Sequence, residues 1–374
     1  MMKKVVLTIC LMIAISGMIP MPAPAQDQTQ DPFDAMEEAF DTMAAATESS
    51  WDAAAKAHEE AWNMMAARVE AIWGDQVMPS NKVWVDYDQD FEARSRVDFD
   101  KGEITIDVLV DLEEDNVVET GKNKLAQKFQ DMLEEKDPAT NDSILEGQLE
   151  TAEGGKVRPD VAQQYIEQEV SPKATVEPKP IEGKDGKKRY KVSVSVGMVP
   201  DHLRVRAERY MPDIIKGAEK HQVSPALILA IIHTESSFNP KAHSKAGAYG
   251  LMQLIPRYGA RDAYRFLHKR DRVIKGTELF DPTFNIELGS AYLHICFTRY
   301  LASVEDPVNR EYMVICGYNW GPPMVKKAIA EKHNVNKMKN EELYEALMAR
   351  IPNETKGYLK NVTKRKELYA MLFK

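Results

Sequence analysis

Residues 225–240 read PALILAIIHTESSFNP, and this stretch decides how the second half of the chain is interpreted. Ser224 and Pro225 mark a helix start, because serine is a favoured N-cap residue and proline is favoured at the first helical position. The residues that follow are apolar on every side, which is typical of a helix buried in a protein core. This helix carries a single carboxylate, Glu235, in its last turn.

The position of Glu235 predicts an unusual acid. The negative end of the helix dipole and a low-dielectric environment both disfavour the ionised carboxylate, so we expect a raised pKa. A general acid that works near neutral pH needs such a pKa. The alternative is a glutamate at the helix end that is exposed or hydrogen-bonded to Ser236 and Ser237.

The rest of the second half is helical in pattern. Asp281-Pro282 and Asp306-Pro307 resemble further helix starts, and no alternating strand pattern occurs beyond Asp201. We predict an all-α domain over residues 201–374, with helical segments at 203–220, 225–236, 258–268, 284–302, 308–319, 341–349 and 355–372.

Residues 75–200 show short alternating strands among a few helices, which predicts an α+β domain. No motif that carries chemistry occurs there, so we expect this domain to bind or position rather than catalyse. The predicted elements are a strand at Lys82–Tyr87, a hairpin of Ser95–Phe99 and Ile104–Val110 around Asp100-Lys101-Gly102, a helix at Leu112–Glu135 with a possible interruption at Gly121, a helix at Val161–Val170, a loop at 171–187, and a strand at Lys188–Val196 that ends at Gly197.

Residues 26–74 precede this domain and are predicted to form one long helix between Phe33 and Trp73, because the segment is rich in Ala, Glu and Met. Aromatic residues recur every eleven positions, which places them on one nearly straight stripe. They are Phe40, Trp51, Trp62 and Trp73. The stripe is interpreted as an intramolecular docking surface, with a cell-wall partner protein or a membrane surface as the alternative.

The first 25 residues have the features of a cleavable secretory signal: Lys3 and Lys4, an apolar run over Val5–Ile19, and a cut expected after Ala25. We therefore expect an exported protein. Cys10 lies inside the apolar run, which does not support a lipid anchor. An uncleaved membrane anchor is the alternative, so membrane attachment stays open.

Composition and charge limit the function classes. The 374 residues are 44% hydrophobic and 29% charged, which excludes collagen-like and wholly disordered chains. Residues 1–200 hold 21 Lys and Arg against 39 Asp and Glu, whereas residues 201–374 hold 28 against 19. This split argues against a nucleic-acid-binding surface but leaves a basic domain that can meet an anionic polymer.

Cofactor chemistry is not expected. No metal-binding His-Glu-x-x-His or Cys-x-x-Cys motif occurs, and neither does a Gly-x-Gly-x-x-Gly or phosphate-binding loop. Three cysteines cannot form a disulfide framework. Whether Cys296 and Cys316 form a disulfide is left open, because sequence spacing does not place their Cα atoms.

Three motifs follow Glu235 in order: Ser244 with Gly247-Ala-Tyr-Gly-Leu-Met-Gln253, then Gly317-Tyr-Asn-Trp-Gly321, then Glu354-Thr-Lys-Gly-Tyr358. Together with ESSFNP they resemble the lytic transglycosylase domain of the goose-type lysozyme superfamily. Upstream, Ala71–Gly74, the segment from Arg94 to Ile106 and Ser193–Leu203 are similar to the N-terminal domain of the membrane-bound lytic murein transglycosylase C group. The resemblance implies an α+β N-terminal domain followed by an all-α, lysozyme-like catalytic domain.

It also implies an activity, the non-hydrolytic cleavage of the β-1,4 bond between N-acetylmuramic acid and N-acetylglucosamine in peptidoglycan glycan strands. Glu235 would be the single catalytic acid and base, and the product would be a 1,6-anhydromuramic acid. The residues implied to line the glycan cleft are Ser244, Gly250, Met252, Gln253, Tyr318, Asn319 and Tyr358. The sequence departs from the pattern at Gly317, where alanine is usual, and at Trp320, where a small residue is common.

Two other functions compete with this one. A hydrolytic muramidase of the same fold needs a second carboxylate to position water, for which Glu278, Asp281 and Glu354 are the candidates. A non-catalytic peptidoglycan-binding scaffold would act through the N-terminal half alone.

Overall fold

A computed structural model of the protein describes residues 51–373, and side chains from residue 56 onward. The predicted signal segment, Phe40 and the first half of the predicted long helix lie outside the described residues. Helix α1 spans Trp51–Trp73. Between residues 51 and 373 no helix combines the length and the apolar character needed to cross a membrane.

An antiparallel sheet follows α1, and its first three strands pair in chain order, as the predicted hairpin requires. Strand β6 then pairs with β3, with Val194 opposite Ile106. Two short strands on the other side of β6 were not predicted, because they lie in a loop rich in Pro, Lys and Gly. The strands are β1 (Val83–Tyr87), β2 (Ala93–Asp98), β3 (Glu103–Asp111), β4 (Thr175–Val176), β5 (Ile181–Glu182) and β6 (Lys188–Gly197).

Helix α2 (Val117–Glu134) packs on the sheet and corrects one prediction. It begins five residues later than expected, where the Asn116 side chain accepts a hydrogen bond from the Glu119 amide. Gly121 lies inside the helix and does not interrupt it. A Cβ at this position would lie only 2.6 Å from the Val192 side chain of the sheet. The glycine therefore lets the helix approach the sheet. A short helix α3 (Ala162–Tyr165) continues as a wider turn to Val170.

The second half is helical, as predicted, and is built around α5, whose residues Leu227–Ile232 are fully buried. Helix α9 was not predicted, because Pro322-Pro323 resembles a loop in sequence although both prolines fit the first turn of a helix. The α-helix predicted at 284–302 ends at Ile295 and continues as a wider turn. The helices are α4 (His202–His221), α5 (Pro225–Glu235), α6 (Arg261–His268), α7 (Pro282–Ile295), α8 (Pro307–Trp320), α9 (Pro322–Val325), α10 (Asn340–Arg350) and α11 (Asn353–Ala370).

Helix α1 contacts both halves of the protein. Trp73 is buried, donates its indole N–H to the Phe91 carbonyl at 2.7 Å, and packs beside Tyr87. Trp62 is buried against His243 of the helical half, with ring centroids 5.1 Å apart. The predicted intramolecular docking is therefore confirmed for these two aromatic residues. The side chain of Trp51 lies outside the described part of the chain.

The two described cysteines are free. Cys296 and Cys316 are both fully buried in the helical core, and burial raises the pKa of each thiol to about 12. They pack as small apolar residues, and no disulfide joins them.

Candidate active site

Glu235 is the last residue of α5 and is only partly buried, so its side chain keeps contact with solvent. Desolvation raises the pKa of its carboxyl to about 8, as the sequence predicted. The negative charge of Glu354 adds to this rise, whereas Tyr358 and the ammonium of Lys82 act against it. Near neutral pH Glu235 therefore holds a proton that it can donate.

The two serines after Glu235 do not bind its carboxylate, so that part of the non-catalytic alternative is wrong. The Ser236 hydroxyl donates to the Leu251 carbonyl at 2.8 Å. The Ser237 hydroxyl donates to Asp100 in the N-terminal half at 2.6 Å. Both serines hold the segment after the helix rather than the acid itself.

Two tyrosines lie beside the Glu235 carboxyl. Burial and the charge of Glu235 raise the pKa of both Tyr318 and Tyr358 well above the usual value for tyrosine. The Tyr318 hydroxyl donates to the Met252 carbonyl at 2.9 Å. The Tyr358 hydroxyl is close enough to Glu235 to lower its pKa, yet it makes no hydrogen bond of normal geometry within the described residues. The Tyr358 hydroxyl is therefore buried beside Glu235 without a hydrogen-bond partner among the described residues.

The loop from Ser244 to Gln253 is held by its own hydrogen bonds. The Ser244 hydroxyl accepts from the Ala248 amide, and the Gln253 side-chain amide donates to the carbonyls of Ala242 and Gly250. Gln253 has a left-handed backbone (φ 47°) and is partly exposed. The carbonyl of Met252 thereby faces Tyr318, and Gln253 lies at the surface of the loop.

Two of the residues that the resemblance places in the glycan cleft are buried in the structure. Gly250 has φ 72°, and a Cβ there would collide with the Leu279 carbonyl and the Asn285 side chain. Packing of the loop therefore requires a glycine at this position. The Met252 side chain is fully buried, and its sulfur lies against Gly289 of α7. The Met252 carbonyl accepts the hydrogen bond from the Tyr318 hydroxyl.

Asn319 lies at the end of α8, where its side-chain oxygen accepts a hydrogen bond from the Thr355 hydroxyl at 2.7 Å. Its amide is 3.5 Å from a carboxylate oxygen of the exposed Glu354. The two departures from the family pattern have local effects. Gly317 leaves room for Pro322, whose Cα would lie 3.3 Å from a Cβ at that position. Trp320 is partly buried against the helical core.

The three proposed water-positioning carboxylates lie in different environments. Glu278 is paired with Arg272, and Asp281 accepts from the Phe284 amide as the N-cap of α7. Of these three carboxylates, Glu354 is the one whose charge raises the pKa of Glu235. Between residues 51 and 373 no three His, Cys, Asp or Glu side chains group together as metal ligands would.

The N-terminal half contributes residues to this site that the sequence did not indicate. Lys82 acts on the charge of Glu235, and Asn81 donates its side-chain amide to the Glu235 carbonyl at 2.6 Å. The Asp100 carboxylate accepts a hydrogen bond from the Ser237 hydroxyl. More than 130 residues separate each of them from its partner, so no local pattern connects them.

Comparison with known protein families divides the chain in two. The family model of the membrane-bound lytic murein transglycosylase C N-terminal domain matches residues 51–209. The model of the transglycosylase SLT domain matches residues 212–341, which include Glu235 and Asn319. Among solved structures, the 70 kDa soluble lytic transglycosylase of Escherichia coli aligns with 44% of this chain and 24% of its own, at 24% identity and a TM-score of 0.37.

Curated relatives match over most of the chain. A membrane-bound lytic murein transglycosylase C of Actinobacillus succinogenes is 29% identical over 303 residues, which cover 78% of this chain and 83% of the relative. The protein of the same name from Serratia proteamaculans is 30% identical over 307 residues, or 77% and 82% of the two chains. The chain therefore belongs to the membrane-bound lytic murein transglycosylase C family.

Proposed function

We propose that this protein is a peptidoglycan lytic transglycosylase that uses Glu235 as its only catalytic carboxyl. The observation that carries the proposal is the state of that carboxyl: partly buried, without an ion pair within the described residues, and with a pKa raised to about 8. A protonated acid at neutral pH is what cleavage of a glycosidic bond requires.

The reaction proceeds in two proton transfers. Glu235 first protonates the glycosidic oxygen, and the bond from that oxygen to C1 of N-acetylmuramic acid breaks. The resulting carboxylate then takes the proton from the 6-hydroxyl of the same sugar, whose oxygen forms a bond to C1. The product is a 1,6-anhydro ring, no water is consumed, and Glu235 ends protonated as it began.

One carboxyl is sufficient because the nucleophile belongs to the substrate. Most glycosidases need a second carboxylate as nucleophile or as base for water. The two tyrosines can support the reaction without charge, with the Tyr318 ring facing the positive charge that develops at C1 and the Tyr358 hydroxyl beside Glu235. Ser244, Gln253 and Asn319 would contact the glycan strand.

A hydrolytic muramidase of the same fold is the second candidate, and Glu354 is the observation that favours it. Its exposed carboxylate is close enough to Glu235 to affect the pKa, and it could orient a water molecule. A binding scaffold without catalysis is not favoured, because binding alone gives no reason to keep a protonated, unpaired carboxyl in the site.

Mass spectrometry of the soluble products released from purified peptidoglycan tests the proposal. We expect anhydromuropeptides, lighter than reducing muropeptides by one water. Glu235→Gln should reduce their release by roughly a thousandfold or more, since general acid and base catalysis are both lost. Reducing ends in place of anhydro ends would assign the hydrolytic activity and direct attention to Glu354.

We also infer export to the periplasm, with a cut after Ala25 and residues 26–74, 75–200 and 201–374 as the parts of the mature chain. The charged start and apolar run of residues 1–25 support this. N-terminal sequencing of the protein from a periplasmic fraction would check it, and an intact Met1 in a membrane fraction would favour the uncleaved anchor.

A further inference from the structure

The segment after Glu235 has a backbone that it would not adopt alone. Ser237 and Phe238 both have left-handed conformations, with φ of 50° and 62°, which are unfavourable for residues with a Cβ. In addition, the last carbonyls of a helix have no partner within the helix. The Glu235 carbonyl is one of these, so the end of α5 depends on groups from elsewhere.

The N-terminal half supplies one of those groups. The Asn81 side-chain amide, just before β1, donates to the Glu235 carbonyl at 2.6 Å. Asn239, which is fully buried, donates its own amide to the Asn81 carbonyl at 3.4 Å. The loop before β1 and the loop after α5 thus bind each other in both directions.

A second contact lies two residues further on. Asp100, in the β2–β3 turn, accepts from the Ser237 hydroxyl at 2.6 Å and pairs with Lys82 at 3.0 Å. Arg206 donates to the carbonyls of both Ser237 and Phe99. Arg206 is 1% exposed and has only neutral hydrogen-bond acceptors in the described structure, so this buried guanidinium joins the two halves without an ion pair.

We propose that Asn81 is a positioning residue for Glu235: its amide holds the Glu235 carbonyl and thereby sets the direction in which the carboxyl points. The Asp100–Ser237 hydrogen bond holds the following turn in the same way. The N-terminal half is in this view part of the catalytic apparatus, although none of its residues needs to touch the reacting atoms. The inference rests on the proposed function of Glu235.

Asn81→Ala tests the inference, with Asn63→Ala as its matched control. Asn63 also makes one exposed hydrogen bond between the halves, to Lys245, but it does not contact α5. We expect Asn81→Ala to lower kcat by roughly tenfold to a hundredfold, because small displacements of a catalytic group have effects of this size. KM and the melting temperature should match those of Asn63→Ala. A kcat within twofold of the control would overturn the inference, and so would a rise in KM at constant kcat.

Amide hydrogen exchange gives a readout that does not depend on activity. In Asn81→Ala the peptide that contains residues 235–239 should exchange faster, and in Asn63→Ala it should not. If the wild-type protein releases no anhydro product, the proposed function fails, and this exchange then tests only whether the Asn81 amide holds the end of α5. Unchanged exchange in Asn81→Ala would reject it whatever the activity.

Discussion

Two carboxyl groups, the fully buried Asp137 and the partly buried Glu235, lie where the two halves of the protein meet, and their surroundings differ. Asp137 is fully buried and accepts hydrogen bonds from the Tyr210 hydroxyl at 2.5 Å and the Ala139 amide at 2.9 Å. The guanidinium of Arg209 lies 3.5 Å away. Glu235 has no such set of donors in the described structure, and burial raises its pKa to about 8.

The difference shows how one fold assigns opposite tasks to the same functional group. The donors around Asp137 stabilise its contact with α4, because each of them offsets part of the cost of burying a polar group. A carboxyl deprived of donors stays protonated and available for reaction. Asp137 is therefore expected to contribute to the stability of the fold, and Glu235 to the reaction. Substitution of Asp137 should lower the free energy of unfolding, whereas substitution of Glu235 should change its pH dependence.

The largest effect on stability is expected at Asp137. Asp137→Ala leaves the buried hydroxyl of Tyr210 without its acceptor and removes the ion pair of Arg209, whose guanidinium keeps only the carbonyls of Ile144 and Glu146. The substitution should lower the free energy of unfolding by about 3–5 kcal/mol. Urea denaturation followed by circular dichroism measures this loss. Asp142→Ala, at an exposed carboxylate in the same loop, is the control and should change stability by less than about 0.5 kcal/mol. Equal losses of stability in the two variants would mean that the donors around Asp137 do not stabilise the fold, and the contrast with Glu235 would be wrong.

A smaller effect, of opposite sign, is expected at Glu235. Its folded-state pKa lies above the unfolded value, so its stabilising contribution is present below about pH 4.5 and is lost as the pH rises toward 8. Glu235→Gln stays neutral and lacks this loss. A rise of the pKa from 4.5 to about 8 corresponds to at most about 4–5 kcal/mol at pH 8.5, and contact of the carboxyl with solvent reduces this by about half. The free energy of unfolding of Glu235→Gln should therefore exceed that of the wild type by about 2 kcal/mol at pH 8.5 and by almost nothing at pH 4.5.

The control for that measurement is Glu345→Gln, which removes one negative charge from an exposed position on α10. Its difference from the wild type should stay constant between the two pH values. A constant difference for Glu235→Gln as well would mean that Glu235 ionises normally in the folded protein.

The smallest effect concerns Glu354, whose charge raises the pKa of Glu235. Glu354→Gln should lower that pKa, so the fall in kcat/KM at alkaline pH should begin at a lower pH, by up to about one unit. Anhydro products should persist, and Glu345→Gln should leave the profile unchanged. An unshifted pH profile would mean that the charge of Glu354 does not affect the pKa of Glu235. Loss of all cleavage would mean that Glu354 is essential, as the hydrolytic mechanism requires.

Local patterns predicted much of the fold. The apolar run before Glu235 identified the buried helix and the raised pKa, because burial and helix position follow from sequence neighbours. The hairpin at Asp100-Lys101-Gly102 and the docking of Trp62 and Trp73 followed from periodicity in the same way. The elements that were not predicted also have a local explanation. Pro322-Pro323 resembles a loop although it begins a helix, and β4 and β5 lie in a segment rich in proline, which is unfavourable for strands.

The sequence alone therefore determined which residue is the candidate acid and the kind of helix that carries it. The tertiary structure decided what surrounds that acid. It showed that Gly250 and the Met252 side chain serve packing, and that Asn81 and Asp100 bind the segment after α5. The physical reason is that hydrogen bonds and desolvation act over a few ångströms in space. Residues 154 positions apart in the chain, such as Asn81 and Glu235, become neighbours only when both halves have folded against each other.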